Sequence, residues 1–131
     1  MQILQPPGWA KPRGYANGIA VRGGTTVDIA EQCAFDAGGA FAGGDFAAQF
    51  RVAMSNVLAV LAQAGGRGEH LVRLTWYVLD RGEYASSLAQ VGAAYRELMG
   101  RHYPTMAVIE VKGLVEPAAR LEIEAVAVIP D

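Results

Sequence analysis

The stretch RLEIEAVAVI, residues 120–129, alternates its side chains in a way that is typical of an extended strand. One set of alternate positions is Leu121, Ile123, Ala125 and Ala127, and the other is Arg120, Glu122, Glu124, Val126 and Val128. Because successive side chains of a strand point to opposite faces of a sheet, the first set predicts a face packed on a core. The second set combines two carboxylates with valines, which is unusual for a face fully open to solvent. We therefore expect a sheet built around this strand.

A long amphipathic helix is predicted over residues 45–64. Asp45 has a side chain suited to an N-cap, and the following Gly65-Gly66 pair provides a usual stop. Between them, apolar residues recur at spacings of three and four: Phe46, Phe50, Met54, Val57, Leu58 and Leu61. This spacing puts the apolar side chains along one stripe, so we expect the stripe to pack against the sheet.

Three further elements are predicted in the second half of the chain. Residues 71–79, LVRLTWYVL, are β-branched and aromatic and too few for a long helix, which indicates a buried strand. An apolar stripe over residues 83–99 predicts a second helix that ends at Gly100. Pro104 then opens a strand that runs to Val111, because proline is tolerated at the first position of a strand.

The N-terminal part of the chain gives weaker signals. Residues 1–14 are expected to form an irregular arm, because they are rich in proline. Two β-prone runs within residues 17–32 flank Gly23-Gly24, a pair typical of a hairpin turn. The glycine-rich segment 36–45 is interpreted as a connector, since it lacks the Lys-Ser/Thr pair and the glycine spacing of a phosphate-binding loop.

The predicted order of elements is β-β-α-β-α-β-β, in a single domain spanning residues 1–131. Two helices on one face of a mixed β-sheet define an α+β fold. The chain is 52% hydrophobic and 18% charged, whereas typical soluble domains are about 45–50% apolar and about 25% charged. Since the other face of the sheet has no cover in the chain, we expect a partner subunit to bury it.

Composition disfavours several classes of function. The formal net charge is −2, and lysine and arginine form no cluster, so nucleic-acid binding through a basic face is not expected. Cys33 is the only cysteine, which excludes an internal disulfide and a multi-cysteine metal site. No apolar run has the length of a signal-peptide core or a membrane span. We therefore expect a soluble cytoplasmic protein without a metal, a cofactor or membrane contact.

Four residues are candidates for a functional site. Glu122 is interpreted either as half of an ion pair with Arg120 or as a general acid or base whose pKa burial would raise. Tyr15, in PRGYANG, either closes over a pocket or anchors the arm. Met106, near the start of its strand, either fills the core or lines a site. Cys33 is interpreted as a small buried hydrophobe, with a nucleophilic or redox role as the alternative.

Several segments together carry a family resemblance over nearly the whole chain. They are GYANG (14–18), FAAQFRVAMSNVLAVLAQAGG (46–66), VRLTWYVLD (72–80), HYPTMAVIEV (102–111) and LEIEAVAV (121–128). On these segments the chain resembles the RidA/YjgF family of reactive-intermediate deaminases, also called the endoribonuclease L-PSP family. The resemblance implies the RidA- and chorismate-mutase-like α+β fold, assembly as a homotrimer, and small-molecule clefts between the subunits.

The same resemblance implies a hydrolytic activity, and it also shows one position at which this chain differs from the active members. Active members hydrolyse enamines and imines such as 2-aminoacrylate to keto acids and ammonia. Their cleft binds the substrate carboxylate through an arginine two residues after the strand-opening proline, where this chain has Met106. A thioether offers neither a charge nor a donor, so the chain resembles a branch that lacks this arginine. The tyrosine and the glutamate of the family cleft correspond to Tyr15 and Glu122.

The resemblance leaves the ligand open. Met106, Val108 and Cys33 are expected to line the cleft, with Arg13 or Arg120 in place of the missing arginine. One hypothesis is an imine or enamine hydrolase that uses the two matching cleft residues. A second is a trimer that binds a small metabolite without converting it. A third, ribonuclease activity or inhibition of translation, is disfavoured by the acidic charge and the absence of a basic aromatic stripe.

Overall fold

A computed structural model describes all 131 residues, which form six strands and three helices. The strands are β1 (Gln2–Leu4), β2 (Gly18–Ala20), β3 (Thr25–Gln32), β4 (Leu71–Val78), β5 (Thr105–Glu110) and β6 (Leu121–Ile129). The helices are α1 (Phe46–Gln63), α2 (Arg81–Ser86) and α3 (Leu88–Met99), with one 3₁₀ turn at Gly68–His70. These elements confirm the predicted α+β fold class.

A four-stranded sheet in the order β3-β6-β4-β5 organises the molecule. Strand β6 pairs antiparallel with both β3 and β4, whereas β4 and β5 run parallel. A parallel pair needs a crossover connection, which α2 and α3 provide between its two strands. Trp76 lies opposite Ile123 on one side and Val108 on the other, so these three positions share one face of the sheet.

The core lies between that face and the helices. All four positions of β6 that the alternation predicts to face the core are buried: Leu121, Ile123, Ala125 and Ala127. Phe50 of α1 stacks on Trp76 with ring centroids 4.8 Å apart, and Tyr84 of α2 meets Trp76 edge to face at 5.9 Å. Val91 and Tyr95 of α3 join the same buried cluster. All three helices therefore pack on one face of the sheet, where the sequence indicated two.

The predicted caps of α1 are confirmed. The Asp45 carboxylate accepts a hydrogen bond from a first-turn amide at 2.9 Å, and the helix ends just before the predicted glycine pair. Gln49, buried in the first turn, accepts a hydrogen bond at 2.8 Å through its side-chain oxygen from the amide of Arg120. This bond fixes the start of α1 to the chain that enters β6, the strand that carries Glu122.

The predictions for the N-terminal part are wrong in two respects. The arm contains strand β1, which pairs antiparallel with β2 in a separate two-stranded sheet. Strands β2 and β3 therefore do not form the hairpin predicted around Gly23-Gly24. The start of β3 pairs instead with the end of β6, where Thr25 lies opposite Ile129. Gly24 has a φ of +81°, and a Cβ there would lie 2.5 Å from the Ile129 carbonyl oxygen, so glycine permits this close approach.

The predicted second helix is also wrong in detail, because the chain divides it at Ser87. Asp80 caps α2 by accepting a hydrogen bond from the Gly82 amide at 2.8 Å. The Ser86 hydroxyl donates to the carbonyl of Glu83 at 3.0 Å. Serine side chains compete with the helical hydrogen-bond ladder in this way, so the serine pair marks the division between α2 and α3.

The second face of the four-stranded sheet, called here the open face, carries no helix. Its side chains are exposed or half-exposed: Asp28, Arg73, Thr75, Tyr77, Glu122, Glu124, Val126 and Val128. Strand β5 forms one edge of the sheet, with Val108 36% and Ile109 43% exposed. Because apolar edge strands are normally covered or paired, this face and this edge are the surfaces available to a partner.

None of the helices has the length and hydropathy needed to cross a membrane.

Candidate functional site

A cavity of about 280 Å³ opens between α3 and the helix side of β4 and β5. Its lining includes Trp76, Tyr84, Tyr95, Arg96, Tyr103 and Met106. Met106 pairs with Leu74 in the sheet register, so its side chain points towards the helices, where it is half-buried. This space is called the Met106 cavity below.

Aromatic side chains hold the walls of the Met106 cavity in place. Trp76 is fixed by stacking on a phenylalanine of α1 and by its edge contact with Tyr84. Tyr95 and Tyr103 stack with ring centroids 5.1 Å apart, and the Tyr95 hydroxyl donates to the His102 carbonyl at 2.7 Å. Burial raises the pKa of Tyr95, so its hydroxyl remains a donor. The cavity is therefore preformed and largely apolar.

Two residues of the Met106 cavity carry donor groups without a partner in the chain. The indole Nε1 of Trp76 is buried and has no hydrogen-bond acceptor. Arg96 is exposed and takes part in none of the chain's ion pairs. An unsatisfied buried donor costs about 1–3 kcal/mol. An apolar pocket with a few polar groups of this kind has the usual form of a small-molecule site.

Tyr15 lies in a second cavity that shares a wall with the Met106 cavity. This space, of about 510 Å³, is also lined by Lys11 and Arg101. The Ala16 amide donates to the Pro104 carbonyl at 3.1 Å, which ties the Tyr15 loop to the chain entering β5. The backbone thus holds the predicted tyrosine next to the strand that supplies the thioether.

The open face of the sheet carries a separate acidic cleft of about 290 Å³, lined by Glu31, Cys33, Glu116 and Glu122 among others. Desolvation raises the pKa of Glu122, and the nearby charge of Glu31 raises it further. Burial raises the pKa of the free Cys33 thiol, and the charges of Glu122 and Glu116 add to the effect. Glu122 is therefore suited to hold and release a proton, whereas Cys33 is a weak nucleophile. No group of three or more His, Cys, Asp or Glu side chains converges as metal ligands would.

The structure separates residues that the sequence analysis expects in one cleft. Leu74 pairs with Met106, and Tyr77 pairs with Glu122. Because Leu74 and Tyr77 are an odd number of positions apart on β4, their partners lie on opposite faces of the sheet. Met106 thus lies on the helix side, and Glu122 lies on the open face in the cleft that Cys33 also lines. The Met106 cavity with the adjoining Tyr15 cavity is called one half-site below, and the cleft of Glu122 and Cys33 is called the other. A single protomer does not bring the two halves together.

Arg120 and Arg13, which the sequence predicts as carboxylate-binding residues, lie outside the Met106 cavity. Arg120 donates through Nε at 3.0 Å and through Nη2 to the Glu83 carboxylate, which occupies its planar fork. The ion pair between Arg120 and Glu122 is therefore not formed. Arg13 is exposed and lines neither this cavity nor that of Tyr15. Val108 lies on the same face of β5 as Met106 but outside the cavity.

Arg96 lines the Met106 cavity and was not predicted as a candidate residue from the sequence. Its signal was present, because Gly92 and Arg96 are four positions apart and so share one face of a helix. The sequence does not show which strand that face meets. The structure supplies this information, because Arg96 of α3 and Met106 of β5 line the same cavity.

Comparisons with known proteins agree with this architecture. Residues 10–129 match the sequence family described as Endoribonuclease L-PSP. The fold is similar to that of YyfB, a Rid-family protein of Yersinia pestis, with a TM-score of 0.83 and 31% identity over 98% of both chains. It is also similar to Rv2704 of Mycobacterium tuberculosis, with a TM-score of 0.67, 32% identity, and coverage of 88% of this chain and 87% of that one. E. coli TdcF with bound serine has a TM-score of 0.71, 26% identity, and coverage of 98% and 99%.

Two RutC family proteins match a shorter part of the chain. The RutC family protein PM1466 of Pasteurella multocida is 32% identical over 84 residues, and the chain spans 64% of the length of that relative. A mixed sheet with helices on one face places the chain in the class of α+β proteins. The chain belongs to the endoribonuclease L-PSP family, the family of the RidA and YjgF proteins.

Proposed function

We propose that the chain forms a homotrimer that binds a small metabolite between subunits and hydrolyses its imine or enamine group. The observation that carries the proposal is the division of the site between two faces of one sheet. Glu122 and Met106 meet only where the open face of one subunit lies against the Met106 cavity of another. A closed ring of three repeats this contact at every interface and covers the open face of every subunit.

In such a cleft, each side chain has a defined role. Water adds to the carbon of the C=N bond, the C–N bond then breaks, and ammonia leaves a carbonyl product. An enamine enters this path once its β-carbon is protonated to give the imine. Glu122 transfers one proton of the attacking water to the imine nitrogen, and then transfers the proton of the resulting hydroxyl group to the same nitrogen as the C–N bond breaks. Its raised pKa favours this role. Tyr15 orients the substrate through its hydroxyl group. The apolar walls of the Met106 cavity hold the body of the substrate.

Hydrolysis of 2-aminoacrylate is expected to be slow or absent. A hydrogen bond to a charged group contributes about 1.5–3 kcal/mol, and Met106 cannot make one to the substrate carboxylate. Relative to a family member with arginine at this position, we expect at least about a tenfold lower rate. The substrate is generated in situ and the release of pyruvate and ammonia is followed. A rate equal to that of the arginine-bearing relative would contradict this expectation.

The proposed trimer is tested by light scattering, with an expected mass three times the 13.9 kDa of the chain. Ile109 on the edge of β5 is 43% exposed and lies at the proposed contact, so Ile109→Lys is expected to shift the protein towards monomer. Val60 on α1 is 41% exposed but lies away from it, so Val60→Lys is the matched control. A wild-type protein that stays monomeric at micromolar concentration would contradict the proposal.

A second candidate function is binding without conversion. It is favoured by the Met106 cavity itself, whose lining is largely apolar and contains no carboxylate. A thermal-shift screen of keto acids and their neutral analogues separates the two functions when ammonia release is measured in parallel. Stabilisation without ammonia release favours binding alone.

For either function we propose a cytoplasmic location, which the free thiol of Cys33 supports.

A further inference from the structure

We infer that Arg96 of α3 anchors an anionic ligand in the Met106 cavity, and that the ligand is a small carboxylate with an aromatic or otherwise apolar body. This inference rests on the proposed small-molecule cleft and names the class of ligand that the cleft takes. It places the cation on helix α3, in a cavity lining that also includes Met106 of strand β5.

The position of the Arg96 guanidinium follows from helix geometry. Side chains on a helix lean towards its N-terminus, so that Arg96 lies over the residue four positions earlier. That residue is Gly92, and a Cβ built there would lie 3.4 Å from Nη1 of Arg96. The guanidinium therefore lies along the helix surface beside a position without a side chain. Both residues line the Met106 cavity, so the guanidinium is held at its wall.

The charge of Arg96 is free for a ligand. No aspartate or glutamate lines the Met106 cavity. The adjacent Glu97 binds Arg51 of α1 at 2.6 Å instead. The cavity next to it adds Lys11 and Arg101, again without a carboxylate, so the surroundings reinforce a preference for anions.

The rest of the cavity selects the body of the ligand. Trp76, Tyr84 and Tyr103 present aromatic surface, and Met106 presents a polarizable thioether that contacts aromatic rings well. A volume of about 280 Å³ is near the lower limit for ligand pockets, about 300 Å³, and suits a molecule of a single ring or short chain.

The test uses benzoate and benzamide, which have nearly the same shape and differ in charge. Calorimetry on the wild-type protein is expected to show benzoate bound about tenfold or more tightly than benzamide. Arg96→Gln should remove this preference and leave benzamide affinity unchanged, whereas Arg96→Lys should retain part of it. Arg81→Gln is the matched control, because Arg81 is an exposed arginine outside the ion pairs and outside this cavity. It should keep the full preference.

Three results would overturn the inference, and they differ in what else they contradict. If Arg96→Gln still prefers benzoate as strongly as wild type, another group provides the anion site, while the proposed cleft stands. If the wild-type protein binds neither compound, the Met106 cavity is not a ligand site, and the proposed function fails with the inference. Equal affinity of the wild-type protein for both compounds would overturn the charge preference alone.

Discussion

Replacing Met106 with arginine is expected to raise the affinity of the protein for pyruvate by about ten- to hundredfold. The new guanidinium enters a cavity with apolar walls, where its field is less screened than in water. It offers a planar fork that can hold a carboxylate through two hydrogen bonds. Pyruvate lacks the apolar body that the wild-type cavity favours, so its binding depends strongly on this added cation. Calorimetry measures the change directly.

The control for this prediction is Met106→Leu, which changes the shape of the side chain without adding charge. The change to arginine is also made in a Glu122→Gln background, because Glu122 of a neighbouring subunit would pair with the new cation and weaken pyruvate binding. Absence of pyruvate binding in both backgrounds, with the trimer intact, would show that Met106 fills a gap in the core and faces no ligand.

Much of the fold follows from patterns that short stretches of sequence display. The alternation in β6 and the apolar stripe of α1 each determine one buried face, and Asp45 marks the helix start, so these features were predicted correctly. The N-terminal part differs because β1 and β2 have three residues each, too few for a clear period. Their pairing depends on contacts between distant segments, which a local pattern does not contain.

The site was harder to predict than the fold. Family resemblance predicts Met106 and Glu122 as site positions, but each lies on its own strand with its own alternation. Whether the two side chains point to the same face of the sheet depends on how each strand is registered against β4. In this register Met106 pairs with Leu74, and Glu122 pairs with Tyr77. Sequence alone does not reveal that register. The contribution of Arg96 likewise depends on how α3 packs, which is a tertiary property.

A further large effect is expected from Glu122→Gln in the Met106→Arg protein. The arginine variant should gain hydrolysis of 2-aminoacrylate, and loss of the Glu122 carboxyl should lower that rate by about a hundredfold or more, the contribution of a general acid–base group. Pyruvate affinity should remain, since the anion site is intact. Ammonia release and calorimetry on the same samples separate the two properties.

Stability provides the control for correct folding of Glu122→Gln. The pKa of Glu122 is raised in the folded protein by desolvation and by Glu31, so the folded state holds this proton more tightly than the unfolded chain. The resulting stabilisation is present in acid and is lost as the pH rises through the raised pKa. The glutamine variant should therefore be more stable than wild type at neutral pH, and the difference should diminish in acid. A variant less stable at neutral pH would indicate damage to the fold.

Mixed trimers test whether the two half-sites come from different subunits. A subunit with both Met106→Arg and Glu122→Gln has the introduced arginine but no acid–base group, whereas the wild-type subunit has Glu122 and keeps methionine at position 106. Neither homotrimer is expected to hydrolyse 2-aminoacrylate efficiently. Because Met106 and Glu122 lie on opposite faces of one sheet, a trimer containing both kinds of subunit should complete the site at an interface. Co-expression with two different affinity tags and two successive purifications isolates such trimers. Activity above that of both homotrimers would show that the arginine introduced into one subunit acts with Glu122 of its neighbour, and its absence from intact mixed trimers would contradict the shared cleft.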